Sequence, residues 1–334
     1  MWSKRICIDL GTANSLVYVE KKGIVLTEPT VVAYSLMDKK IVAVGTEARD
    51  MIGRTPGTIV ASRPMKDGVI AQYTVTRAMI KYFLTKAVGF SLVKPDVLIS
   101  IPGGATQVER RAVFNACMAA GARATYLIEE PLAAAIGARL SIAAPSGSMI
   151  INIGGGTTEA AVISLGELVS YKSERIGGNK IDEAINIYLR KKHSLIVGER
   201  TAEDLKINHA HAFLKESPED ATVEVKGRDM RTGLPRSIEL NERELSQSIQ
   251  RPLRGILYTA KKVLEDIPPE LSADIVEKGA ILSGGTALLK GIDMFLSDEL
   301  NIPCFLAEDP LSCVIRGLGM IAENFSLYKA ASGN

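Results

Sequence analysis

The sequence lacks long apolar runs, paired cysteines, clustered histidines and any marked excess of one charge, and each absence removes a class of protein. No window approaches the roughly 18 consecutive apolar residues that a membrane-spanning helix needs. The four cysteines, Cys7, Cys117, Cys304 and Cys313, lie far apart and form no CxxC pair. Neither a disulfide framework nor a zinc site is therefore expected. Cys7 sits in the apolar run Ile6-Cys7-Ile8 and reads as a buried, reduced thiol. Of the three histidines, His193, His209 and His211, the last two are two apart and would face different sides of a helix, so no metal role is expected. The 40 basic and 38 acidic residues leave a net charge of +2. That balance is too even for the dense basic stripe of a nucleic-acid surface, and no nucleic-acid partner is expected. The GxxxxGK(S/T) pattern is missing, which excludes a Walker-type phosphate loop. No secretory pattern precedes the run Ile6 to Leu10, so a cytoplasmic location is expected.

What is present is the balance of a soluble globular protein: 46% hydrophobic and 23% charged residues in a chain of 334, a length that suggests two domains. Two stretches are alike. Ile6 to Leu10 is a short apolar run ending in Gly11-Thr12-Ala13-Asn14, and Met149 to Ile153 is another ending in Gly154-Gly155-Gly156-Thr157-Thr158. A second β-branched run follows each, Leu16 to Val19 and Ala160 to Leu165, which predicts strand, glycine turn, strand.

Strands and helices alternate between and after them, an α/β pattern. Val97 to Ile101 reads as a buried strand, Gln107 to Ala119 as a helix, and Tyr126 to Ile128 as a strand leading into Glu129-Glu130-Pro131. An alanine-rich helix is predicted from Leu132 to Leu140, with Pro131 suited to its first turn. Ala143-Ala144-Pro145-Ser146-Gly147 is the candidate hinge between domains. From about 182 to 244 the composition turns polar, with predicted helices Asp182 to Lys192 and Ala202 to Ala212 and short strands near Val223 and Ile238. Late in the chain the strand Ala280 to Ser283 runs into Gly284-Gly285-Thr286 and a predicted helix Ala287 to Leu300.

Three glycine turns thus follow apolar strands. Glycine permits close approach of backbone to ligand, and successive N–H groups in a tight turn form a concavity for anions. Each turn alone serves equally well simply to reverse the chain; the three together, with acidic groups beside two of them, suggest a phosphate site. Asp9, at the end of the first strand, could hold a hydrated Mg²⁺ or cap its turn. Glu130 could orient water for attack on a terminal phosphate, or complement the dipole of the helix it opens. Glu203 and Lys206 share a helix face, as a ribose-side clamp or a solvated ion pair.

The combination resembles the actin, sugar-kinase and DnaK-type chaperone superfamily and, within it, the MreB family with its Mbl-like members. The resemblance covers essentially the whole chain. It is carried by IDLGTANSLVYVEKKGIVLTEPTVVA at 8–33, RPMKDGVIAQY at 63–73, LIEEPLAAAIGA at 127–138, IGGGTTEAAVISLG at 153–166, GERTAEDLKI at 198–207, GRDMRTGLPR at 227–236 and PPELSADIVEKGAILSGGTALLKG at 268–291. It implies an actin-like fold of two related domains around a nucleotide cleft. Domain I would span 1–143, with a small subdomain at about 33–72 and a C-terminal return at 315–334. Domain II would span 144–314, with a small subdomain at about 182–244. It also implies ATP with Mg²⁺, slow ATP hydrolysis, and self-assembly into paired protofilaments. The inner face of the cytoplasmic membrane and shape proteins of the MreC and RodZ type would be partners, and the role would be to set rod shape by organising wall synthesis.

Residue by residue, Asp9, Thr12, Ala13 and Asn14 match the family's first phosphate turn, and Gly154, Gly155, Gly156 and Thr157 its second. Glu203 and Lys206 match the ribose-side pair, and Gly284, Gly285 and Thr286 the adenine-side turn. Glu130 matches the catalytic glutamate, and Thr157 a threonine that helps place the attacking water. Two positions depart from the pattern. Asn152 replaces the usual aspartate before the second turn, which removes a carboxylate beside the metal and should slow hydrolysis more than it weakens binding; Thr286 replaces the last glycine of a usual GGG.

The loop Val88 to Val93 carries Phe90, Leu92 and Val93 between Lys86 and Lys94, and the family has a membrane-insertion loop at this position. Trp2 beside Lys4 and Arg5 has the character of an interfacial anchor. The alternative for the loop is packing on its own domain, and the alternative for the protein is a sugar-kinase-type phosphotransferase.

Overall fold

A computed structural model describes residues 4–38, 40–89, 93–326 and 328. Two five-stranded sheets organise it, and they repeat one topology. In the first, Arg5–Leu10 is central. Asn14–Val19 and Gly23–Pro29 pair antiparallel on one side, and Asp96–Ile101 and Ala124–Glu129 pair parallel on the other. In the second, Ser148–Ile153 is central. Thr158–Ser164 and Glu167–Glu174 lie on the antiparallel side, and Ala280–Ser283 and Cys304–Leu306 on the parallel side. A central strand covered on both faces must be apolar throughout rather than alternating. That is why Ile6, Cys7 and Ile8 are all fully buried, and Ile150 and Ile151 likewise.

The inserts also correspond. A three-stranded sheet of Ile41–Val44, Val32–Ser35 and Ile59–Ser62 follows the third strand of the first unit. A three-stranded sheet of Leu195–Ile196, Thr222–Asp229 and Pro235–Asn241 follows the third strand of the second. The helix Cys313–Glu323 then returns to the first sheet, where the Cys7 thiol donates to Leu318 O at 3.3 Å and the Tyr18 hydroxyl to Glu323 at 2.6 Å. One buried cluster draws on both sheets: Cys7, Leu16 and Leu98 from the first meet Ile150, Ala161 and Ile163 from the second. The alanines of Glu130–Gly137 and the apolar face of Cys313–Glu323 lie between them.

Four predicted helices shift, and the one expected at 182–192 is Gly178–His193. The alanine-rich helix is Glu130–Gly137, not 132–140, because Arg139 takes a left-handed φ of 60°. The helix expected at 202–212 is Glu199–His209 and ends where Ala210 becomes extended. The segment expected as one helix from Ala287 is a 3₁₀ turn Gly285–Leu288 followed by Ile292–Leu300, separated by Gly291 at φ 71°. The helix Gln107–Ala120 begins with a reciprocal cap: Thr106 Oγ1 accepts from Glu109 N at 3.3 Å, and Glu109 Oε2 accepts from Thr106 N at 2.8 Å.

Candidate functional site

The two central strands each end in a glycine hairpin, and the tips meet. A Cβ on Gly155 would lie 2.7 Å from the Cβ of Ala13, and one on Gly156 would lie 2.5 Å from Thr12 Oγ1. These glycines are therefore required by apposition of the hairpins as well as by any ligand. A third segment wedges beside them: Gly68 N donates to Thr12 Oγ1 at 2.9 Å, and a Cβ on Gly68 would sit 2.7 Å from Thr157 Cγ2.

The third glycine turn is not a hairpin but a strand running into a 3₁₀ turn. Gly284 has φ 86°, and a Cβ there would lie 2.4 Å from Ile153 O, so only glycine fits. Both departures from the family pattern lie at this junction. Asn152 Oδ1 accepts from Ser283 Oγ at 3.0 Å, and the Thr286 hydroxyl donates to Gly154 O at 2.8 Å. Thr286 is turned toward the second hairpin and is buried, so its side chain stitches two glycine turns together.

Around this junction is a cleft of about 330 Å³. It is lined by Asp9, Thr12, Ala13, Asn14, Glu130, Asn152, Gly154, Gly155, Gly156, Thr157, Glu203, Lys206, Gly284, Gly285 and Thr286. Every residue nominated from sequence for the nucleotide thus faces one space. Arg49, Gly68, Gly178 and Asn179 also line it, as do the apolar Ile207, Leu288 and Leu311. Sequence reasoning missed Arg49, Gly68, Gly178, Asn179 and Leu311 because they come from other elements with no local signal, and Ile207 and Leu288 because an apolar neighbour of a nominated residue reads as core. Lys206 pairs with Asp182 at 2.9 Å rather than with Glu203. The start of the helix Gly178–His193 is docked on the second turn, where Gly178 N donates to Gly154 O and Asn179 N to Gly155 O.

The electrostatics centre on three carboxyls. Burial pushes Asp9 up to about 6, against a 2.9 Å hydrogen bond from Ser100 Oγ. Burial pushes Glu159 up to about 7, against the neighbouring Ser173 hydroxyl and a 2.9 Å hydrogen bond from the Gly103 N–H. Glu130 rises well above the carboxylate range, first through burial and then through the neighbouring Glu159 and Asp9. Among the described residues no three potential ligand side chains gather as a direct metal cage. A glycine cradle with one carboxylate at its edge suits a hydrated Mg²⁺ shared with phosphates instead. Of the membrane candidates, Trp2, Phe90 and Leu92 lie outside the described residues, and Val93 is half-buried. No helix among the described residues is long and apolar enough to cross a membrane.

The family profile described as MreB/Mbl protein matches residues 3–330. The cell shape-determining protein MreB of Pasteurella multocida is 49% identical, over 98% of this chain and 95% of that protein. The cell shape-determining protein Mbl of Bacillus subtilis is 48% identical, over 97% of each. The crystal structure of MreB5 of Spiroplasma citri bound to AMPPNP superposes with a TM-score of 0.93 at 34% identity, covering 100% of both chains. The chain of the MamK double helical filament shares the fold at a TM-score of 0.80, with 18% identity over 96% of this chain and 99% of that one. The fold is therefore actin-like, and on these similarities the chain belongs to the MreB/Mbl family.

Proposed function

We propose that this chain binds ATP with Mg²⁺ in the cleft, hydrolyses it slowly, and assembles into paired protofilaments on the inner face of the cytoplasmic membrane. There it helps set rod shape by organising wall synthesis with MreC- and RodZ-type partners. The observation that carries this reading is the convergence of three glycine turns, Asp9 and Glu130 on one cleft, in a family whose relatives are named for cell shape. The Spiroplasma citri relative is described bound to AMPPNP and to ADP, which supports a nucleotide as ligand. Nothing among the relatives favours the phosphotransferase alternative.

In this reading the N–H groups of Gly155 and Gly156 and the hydroxyl of Thr12 would hold phosphates, the Gly154 N–H being taken by Thr157 O within the hairpin, and Asp9 would hold a hydrated metal. Bound Mg²⁺ supplies neutralising charge for the phosphates. Glu203 and Lys206 flank the ribose, Gly284 to Thr286 back the adenine, and Glu130 and Thr157 orient the attacking water. The repeated sheet topology supports domain I as 1–143 with 315–334, and domain II as 144–314, with small subdomains at about 33–72 and 182–244.

The test is sedimentation with ATP, with and without anionic liposomes. Wild type is expected to pellet with ATP and to co-pellet with liposomes. Leu92→Ser/Val93→Ser should retain ATP-dependent pelleting but lose most liposome binding, since a filament multiplies a weak single-loop contact. Equal liposome binding by the double variant defeats the membrane assignment, and failure to bind ATP at all defeats the reading.

Asn152→Asp restores a carboxylate that can still accept from Ser283. Expected are a several-fold lower Mg²⁺ requirement and faster phosphate release, with a lower melting temperature in EDTA because a fourth carboxyl joins Asp9, Glu130 and Glu159. Unchanged Mg²⁺ dependence and unchanged release would contradict the charge argument.

A further inference from the structure

Glu159 belongs to the second glycine hairpin but does not line the cleft. It stands on Thr158–Ser164 directly opposite Asn152 and is fully buried. Its Oε1 accepts a hydrogen bond from the Gly103 N–H at 2.9 Å, whereas Oε2 has no ordinary partner among the described residues. An unsatisfied buried carboxyl oxygen is rare and costly. Glu130, also buried, opens the helix Glu130–Gly137, which packs on this strand, and is the neighbouring carboxyl; two carboxyls can bond each other only when one carries a proton. Gly103 belongs to the same wall, since a Cβ on it would lie 3.4 Å from Cγ of Pro131, the residue after Glu130.

We infer that Glu159 is the positioning residue for Glu130: anchored to the backbone at Gly103, it holds the Glu130 carboxyl in one orientation toward the phosphate turns. The inference rests on the proposed role of Glu130 at the terminal phosphate. Glu159 touches neither nucleotide nor water in this arrangement and acts only through Glu130. Fixing that carboxyl matters because a misplacement of about 1 Å is enough to lose roughly 10²-fold in rate. Burial raises both groups, which favours a proton shared between them.

Glu159→Gln and Glu159→Leu, compared in the full chain with wild type and Glu130→Gln, test this. Glutamine can still accept from Gly103 and donate an amide N–H to Glu130, so phosphate release should stay within about 3-fold of wild type. Leucine offers neither contact, and release should fall about 10²-fold while affinity for a fluorescent ATP analogue changes less than about 3-fold. Crystal structures of the nucleotide-free variants give a readout independent of turnover. Glu130 should keep its orientation in Glu159→Gln and abandon it in Glu159→Leu. Wild-type release from the leucine variant, or an unmoved Glu130 in its structure, overturns the positioning role. A glutamine variant as slow as the leucine one also overturns it, because Glu159 would then be a proton acceptor in its own right. Undiminished release from Glu130→Gln would instead defeat the role of Glu130, while the structures still report whether Glu159 holds it.

Discussion

Glu130→Gln is expected to bind ATP as wild type does and to release phosphate about 10²- to 10³-fold more slowly, the scale of a lost general base or water-orienting group. The side chain is buried at the cleft wall, opens the helix Glu130–Gly137 and is flanked by Asp9 and Glu159. In the nucleotide-free protein this crowd favours the protonated form of Glu130; positive charge beside Asp9 would favour its ionised form, which can accept a proton. Single-turnover phosphate release alongside equilibrium ATP binding separates chemistry from affinity. A variant that hydrolyses at the wild-type rate removes Glu130 from the mechanism.

The same variant carries a stability signature. Glu130 and Glu159 have folded-state values above their unfolded ones, so between those values the folded protein binds more protons than the unfolded chain. Their contribution is complete at low pH and is lost as pH rises, for Glu159 from the ordinary value of 4.5 through about 7. Each such proton is worth up to about 1.4 kcal/mol per pH unit. Nucleotide-free melts should therefore fall across this window in wild type and fall less steeply in Glu130→Gln, which removes one raised carboxyl while Glu159 and Asp9 still titrate. Melting temperatures that climb there contradict the assignment of these buried carboxyls.

Gly137→Ala is expected to destabilise the fold by about 3 kcal/mol, toward the upper end for overpacking, and to lower the melting temperature by several degrees. The helices Glu130–Gly137 and Cys313–Glu323 cross with almost no space between their backbones. A Cβ on Gly137 would lie 1.8 Å from Cys313 O, and a Cβ on Gly317 would lie 1.9 Å from Ala133 O. The obstructing atoms are main chain on both sides, so no side chain can rotate away, and the helices must separate. Alanine gains about 1 kcal/mol of helix propensity over glycine, which is too little to offset this. Separation would open the cluster shared by the two sheets and loosen the wall that holds Glu130. Gly57→Ala is the control: a Cβ there meets nothing within 4 Å, and stability should change by less than about 0.5 kcal/mol. Equal melting of Gly137→Ala and wild type would show that the crossing relaxes more easily than its geometry suggests.

Legibility differed sharply between strands and contacts. Both glycine hairpins could be read locally, because an unbroken apolar strand followed by a glycine turn and a second β-branched run has few other solutions. The alanine run at 133–135 announced a helix but not its purpose, since small residues suit propensity and close packing equally. Helix ends slipped where a non-glycine residue took a left-handed φ, as Arg139 does, where an unremarked glycine such as Gly291 broke the run, or where Ala210 turned extended. Glu159 was passed over for a plain reason: in TTEAAVIS it looks like any strand residue, and only the opposing Gly103 and Glu130 make it unusual.

The order of residues along the chain therefore determined the strands, the glycine turns beside them and the acidic groups at their ends, because each depends on neighbours a few positions away. Tertiary structure alone decided that hairpins some 140 residues apart touch tip to tip (Thr12 against Gly156), that Asn152 and Thr286 bind one turn to another, and that Glu159 stands behind Glu130. Those outcomes depend on which buried surfaces face each other once two sheets close on a shared pair of helices, and no local pattern encodes that distance.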